Sequence, residues 1–123
     1  MNRPDCSNFG DMKVFMHHIY EFKKGVRSLI LCTMCDTCAE FVIQRLEKQQ
    51  IEYLRQPVSG NKVNLYFGKR ACLDAVRSFA DKPLNRLTPE EDFMLGAMLG
   101  YDTGQQCERF CQRKMKATAL QAV

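Results

Sequence analysis

KVFMHHIYEF, residues 13–22, sets Val14, Met16, His18, Tyr20 and Phe22 on one side and Phe15, His17, Ile19 and Glu21 on the other. A period of two is the pattern of a half-buried strand. Lys23-Lys24-Gly25 then offers a turn, and VRSLILC, residues 26–32, is a short apolar run that reads as a second, well-buried strand. The two together predict a hairpin.

Beyond it the period changes. CDTCAEFVIQRLEKQQ, residues 35–50, has helical spacing, with Cys38, Phe41, Val42 and Leu46 on one stripe and Asp36 or Thr37 able to cap it. Residues 51–68 give two strands around Ser59-Gly60-Asn61, with Val63, Leu65 and Phe67 alternating inward and Pro57 marking an edge or an end. KRACLDAVRSFA, residues 69–80, is an amphipathic helix showing Ala71, Cys72, Ala75, Val76 and Phe79 to the sheet. Thr88-Pro89-Glu90-Glu91 combines a hydroxyl cap, proline at the first helical position and a glutamate three after the cap, so a helix starts there. That helix is apolar nearly all round and stops at Gly100. Asp102 with Gln105 can cap a last helix whose stripe is Cys107, Phe110, Cys111 and Met115.

The order strand, strand, helix, strand, strand, helix predicts an α+β fold. It is a two-layer sandwich with a four-stranded, mainly antiparallel sheet (ββαββα, ferredoxin-like in style) and two extra C-terminal helices clasped over an open face. Residues 13–116 form the single domain, after a polar lead at 1–12 and before a tail at 117–123 expected to fray. In 123 residues, 46% apolar composition supports one modest core. No unbroken apolar run approaches the roughly 18 residues of a membrane span, and the first residues lack an apolar signal core, so a cytoplasmic protein without a membrane partner is expected.

Seven cysteines are an odd count, and nothing points to an oxidising compartment, so reduced thiols are the starting expectation. Cys32, Cys35 and Cys38, each three residues after the last, can ligate zinc or part of an iron–sulfur cluster if Cys107, Cys111, His17 or His18 supplies a fourth ligand. Against this, cysteine is a small apolar residue. Cys32 ends a buried strand, Cys38 faces the core, and Cys107 and Cys111 share a stripe with Phe110 and Met115, so packing is the expected role and no cofactor is expected. Cys35, near a helix N-terminus, also suits a thiol switch.

His17 and His18 fall on opposite faces of the expected strand, so only one of them is inward. A ligand pocket between the sheet and the last helices has His18, Tyr20, Tyr101 and Asp102 as candidate polar groups, with His17 and Glu21 as another pair. Gly68-Lys69-Arg70, between a strand and a helix, is a candidate anion site, although two cations there oppose the helix dipole. The net charge is +4, and Arg109, Arg113, Lys114 and Lys116 form a basic outer face, as do Lys23, Lys24 and Arg27 at the first turn. These lack the aromatic stacking pattern of an RNA-recognition motif, which argues against nucleic acid; a solvated face is the expected role, and the patches would also suit an acidic protein partner. An open edge strand near Pro57 leaves room for a homodimer.

MHHIYEFKKGVRSLIL, VNLYFG, LTPEEDFMLGAMLGYD and QQCERF together resemble a small family of uncharacterised bacterial proteins, a domain of unknown function of about this length. The resemblance covers residues 13 to about 114, and the PEEDF and LGYD stretches are its most specific part. It carries no catalytic residue. It implies a neighbourhood of flavodoxin genes in anaerobic bacteria, and through it a connection with electron transfer or iron limitation. The expectation is therefore a non-catalytic accessory or regulatory module with a protein partner, flavodoxin foremost. The alternatives are a metal or iron–sulfur protein and a small enzyme or ligand-binding domain.

Overall fold

The computed structural model describes residues 9–121. The elements run α1 (Phe9–Lys23), β1 (Leu29–Cys35), α2 (Asp36–Lys48), β2 (Tyr53–Pro57), β3 (Lys62–Gly68), α3 (Arg70–Arg77), a 3-10 turn (Leu84–Arg86), α4 (Pro89–Met98) and α5 (Thr103–Gln121). The class is α+β as expected, but among the described residues the sheet has three strands instead of four.

The difference lies in the first element. Residues 13–22 are helical, and the side chains turned to the sheet are Phe15, Ile19 and Phe22, the i, i+4, i+7 spacing of one helix face. So many residues here are apolar that both periods find matches, and only Val14 and Ile19 are β-branched, so little opposes a helix. Lys23-Lys24-Gly25 is a helix end and not a hairpin turn. Gly25 has φ +79°, its N–H donates to Phe22 O at 3.0 Å and the Val26 N–H donates to Glu21 O at 2.9 Å, a Schellman cap. A glycine with positive φ serves a tight turn and a helix cap alike, so the glycine alone does not distinguish them.

The strands lie in the order β1-β3-β2, antiparallel throughout, with Leu29 opposite Gly68, Cys35 opposite Lys62, and Tyr53 opposite Phe67. Pro57 closes β2, an edge strand, as its missing N–H requires. At Gly68 a Cβ would sit 2.2 Å from Ser28 O, so only glycine lets the end of β3 pass the start of β1.

Both sheet faces are covered. On one, Ile30, Leu65 and Phe67 meet Phe15 and Ile19 of α1 and Val42, Ile43 and Leu46 of α2. On the other, Leu29 and Tyr66 meet Leu73 and Val76 of α3, Phe79, Leu87, and Leu95 and Leu99 of α4. The sandwich therefore has three layers, correcting the two-layer expectation, and the order ββαββα becomes αβαββα. Taking α1 for a strand had left one face open. The stripe of α2 also differs from expectation: Phe41 is 40% exposed under the Arg45 guanidinium, and Ala39 and Ile43 take the inward places.

Helix α4 starts at the expected capping box: Thr88 Oγ1 accepts from the Glu91 N–H at 3.1 Å, and the Glu91 carboxylate accepts from the Thr88 N–H at 2.9 Å. Helix α5 runs back antiparallel across it, with the Phe93 and Phe110 rings edge to face at 5.8 Å. Among the residues of α5 whose burial is described, only Gln106, Phe110, Arg113 and Ala117 are partly covered, at spacings of four, three and four. Cys107, Cys111 and Met115 are exposed, which overturns the expectation that they share the core-facing stripe with Phe110. The helix continues to Gln121, into the tail expected to fray. Helix α1 begins at Phe9, inside the expected polar lead, and residues 1–8 of that lead lie outside the described residues. No described helix is long and apolar enough to cross a membrane.

Candidate functional site

Burying Phe15, Ile19 and Phe22 obliges α1 to turn its other residues outward. Val14 is 57% exposed, Tyr20 55%, Met16 38%, and Val26 just beyond the helix 69%. The His17 ring stacks on Tyr20 at 6.3 Å and 19°, and Lys24 Nζ lies over the same Tyr20 ring at 5.6 Å. Lys13 and Lys23 flank the row, both exposed and making no ion pair among the described residues. Along the helix axis these apolar and aromatic side chains lie between Lys13 at one end and Lys23 and Lys24 at the other.

The two histidines do not part as a strand would part them. His17 Nε2 and His18 Nδ1 lie 3.8 and 3.5 Å from the same Glu21 oxygen, with Arg27 Nη1 3.9 Å from it and donating to His18 Nδ1 at 3.3 Å. On a helix, positions i+3 and i+4 both reach residue i, so adjacent histidines can share one carboxylate. Half-buried His18 thus closes the lower edge of the α1 face.

The basic residues of α5 are used internally. Arg109 grips Asp92 in bidentate fashion, Nε to Oδ2 at 2.7 Å and Nη2 to Oδ1 at 3.1 Å. Arg113 Nη2 donates to Leu87 O at 2.8 Å while its Nη1 lies 3.3 Å from Asp92 Oδ1, close enough for ion pairing without a hydrogen bond. Lys114 pairs with Glu90, and from the loop before α4 Lys82 pairs with Glu91 at 2.6 Å. The Arg109 hydrogen bonds hold the Asp92 carboxyl below the ordinary carboxylate range, and Asp92 in turn raises Arg109. Lys114 and Lys82 lower Glu90 and Glu91 in the same way. Of the four cations expected on this face, Lys116 alone has no such partner among the described residues.

The cysteines separate. Cys32 lies against the α1/α2 core, where burial pushes its thiol up, while Cys107 and Cys111 sit on α5, beyond the other sheet face. The five sulfurs proposed from sequence as a metal set are not brought together, and no group of three or more His, Cys, Asp or Glu among the described residues is arranged to hold a metal ion. Cys35 and Cys38 do meet. Cys35 caps α2, its sulfur accepting from the Cys38 N–H at 3.3 Å, and the two Sγ atoms are 2.9 Å apart, beyond the roughly 2.05 Å of a covalent S–S bond. Cys38 itself is disulfide-bonded, contrary to the starting expectation of reduced thiols.

The residues expected around a ligand pocket lie on opposite sides of the sheet: His18 and Tyr20 on α1, Tyr101 and Asp102 at the α4–α5 junction, where Asp102 Oδ2 accepts from the Gln105 N–H at 2.9 Å. At Gly68-Lys69-Arg70, Lys69 precedes α3 without a side-chain cap bond, and Arg70 swings to Glu52 at 3.8 Å and Asp74 at 4.0 Å, which relieves the opposition to the dipole without an anion. An open groove of about 980 Å³ lies elsewhere, where Thr33, Gln56 and Asn64 face Asp81, Asn85 and Arg86. Its buried amides face one another. Gln56 Nε2 donates to Ala80 O (2.8 Å) and Lys82 O (3.0 Å), and its Oε1 accepts from Asn64 Nδ2 and the Tyr66 hydroxyl, both at 3.0 Å. Burial pushes the Tyr66 phenol up to about 12, and the network pins the loop after α3 to the sheet.

Sequence reasoning missed the α1 face and the Gln56 network. A helical count from Phe15 offers the first as an alternative to the strand, and the second joins residues that no local pattern connects. A search of curated proteins finds no match. A family profile described as "Protein of unknown function (DUF2023)" matches residues 13–113.

Proposed function

This chain belongs to that DUF2023 family, and from that premise we propose that it is a non-catalytic accessory module that binds an acidic protein partner through the outward face of α1. One observation carries the reading: Val14, Met16 and Tyr20 stand exposed on a helix bordered by Lys13, Lys23 and Lys24, lysines that no described carboxylate neutralises. Interface centres favour Tyr and Met, and charged borders steer the encounter. The basic residues of α5, already paired with Asp92 and Glu90, are the poorer candidates. A flavodoxin is the partner that the family resemblance implies, and a role in electron transfer or under iron limitation follows from that choice.

Titration calorimetry of the full chain with a flavodoxin tests it. Binding at low ionic strength is expected to weaken by roughly tenfold at high salt, because exposed charges are screened beyond about a Debye length. Tyr20→Ala and Lys24→Glu should each weaken it further. No heat of binding at low salt, or affinity indifferent to both substitutions, rejects the reading.

A further inference from the structure

Cys35-Asp36-Thr37-Cys38 stands where β1 runs into α2, and its two sulfurs lie 2.9 Å apart. The Cys35 S–H points at Cys38 Sγ from 2.9 Å, just under the 3–3.5 Å of a near-attack arrangement, and that sulfur belongs to a disulfide. The backbone places a donor on the attacking atom. Cys35 is the N-cap of α2, its sulfur already accepts from the Cys38 N–H, and the positive end of a 13-residue helix lies beneath it.

The frame around the pair is rigid on both sides. Cys35 is held opposite Lys62 in the sheet, the Asp36 N–H donates to Asn61 O at 2.7 Å, and Arg55 bridges Asp36 and Glu40 across the first turn of α2. Both cysteines are half-buried, so a small thiol or disulfide can reach them. Cys32 differs in each respect: it points to the other face of β1, lies against the core, and has a thiol that burial keeps protonated.

We propose that Cys35 and Cys38 are a thiol–disulfide exchange site, with Cys35 the sulfur that attacks first. The Cys35 thiolate forms a bond to Cys38 Sγ while the existing bond at Cys38 breaks. The sulfur that leaves takes the electron pair and the proton that Cys35 gave up, so no outside oxidant is consumed. The product is a Cys35–Cys38 disulfide. Starting from both thiols, a disulfide of low molecular weight such as glutathione disulfide does the same by two exchanges. Cys35 attacks it and expels one thiol, then Cys38 attacks Cys35 Sγ and expels the second, two protons passing to the two thiols released.

The test takes the full chain, reduces it, equilibrates it across glutathione and glutathione disulfide mixtures, quenches with acid, alkylates and digests with trypsin. Cleavage after Arg27 and Arg45 releases residues 28–45, which hold Cys32, Cys35 and Cys38 on one peptide. The expected product is that peptide two hydrogens light, with only Cys32 alkylated. Cys32→Ala should still form it. Cys35→Ser, in which serine is itself a good cap and should preserve the fold as read by circular dichroism, is expected to abolish the product and slow the reaction of the chain with glutathione disulfide by about tenfold or more. Cys35 alkylated at every redox poise, a link to Cys32 in its place, or an unchanged rate in Cys35→Ser overturns the proposal.

Discussion

Helices α1 and α5 each carry a row of basic residues, and the rows differ in where their counter-charges sit. Asp92 and Glu90 of α4 neutralise Arg109, Arg113 and Lys114, so charge on α5 holds the helix down. Hydrophobic contacts through Phe15, Ile19 and Phe22 anchor α1, leaving Lys13, Lys23 and Lys24 available to another molecule. The count of basic residues along a helix therefore says less about docking than the position of the nearest carboxylate.

The largest effect should come from the anchor of α1. Phe15 is 6% exposed and meets Phe67 edge to face at 5.7 Å, so Phe15→Ala should cost about 3–4 kcal/mol in urea unfolding. For α5 the matching substitution is Asp92→Ala, which strips Arg109 and Arg113 of their shared partner and should cost about 2 kcal/mol.

The same residue gives α5 a pH signature. With its folded value depressed below the ordinary 3.8, Asp92 contributes fully above that pH and loses its contribution as pH falls through the folded value. Thermal unfolding followed downward from pH 6 should show that loss in the native chain, and Asp92→Asn should reduce it, Glu90 and Glu91 being lowered as well. Tyr66 behaves oppositely. Its folded value is raised from 10.0 to about 12, so its contribution is intact below pH 10 and lost as pH rises toward 12. Tyr66→Phe should cost about 1 kcal/mol at pH 7, from the hydroxyl lost to Gln56, and remove the alkaline decline. The smallest change belongs to the outward face of α1, where Val14→Ser should move stability by less than about 0.5 kcal/mol.

The parts of the fold legible in the sequence are those set by local chemistry. Ser59-Gly60-Asn61 joins β2 to β3, Pro57 ends an edge strand, and the Thr88–Glu91 capping box opens α4, each through atoms only a few residues apart. Helix α1 was not legible as a helix, because Val14, Met16 and Tyr20 of its outward side complete a period of two and Gly25 fits either kind of bend. Only the need to cover the sheet face of Ile30, Leu65 and Phe67 decides between them. The capping sulfur of Cys35 was hidden by Asp36 and Thr37, which are better caps by residue type. Arg109 reaches Asp92 across seventeen residues of chain, a pairing that the antiparallel crossing of α4 and α5 creates.

Amide chemical shifts of the isotope-labelled chain, followed as a flavodoxin is added at low ionic strength, test the central claim most directly. The account predicts perturbations concentrated at residues 13–26, fading as salt is raised, with α5 silent. Perturbations centred on α5, or none at either helix, would contradict it.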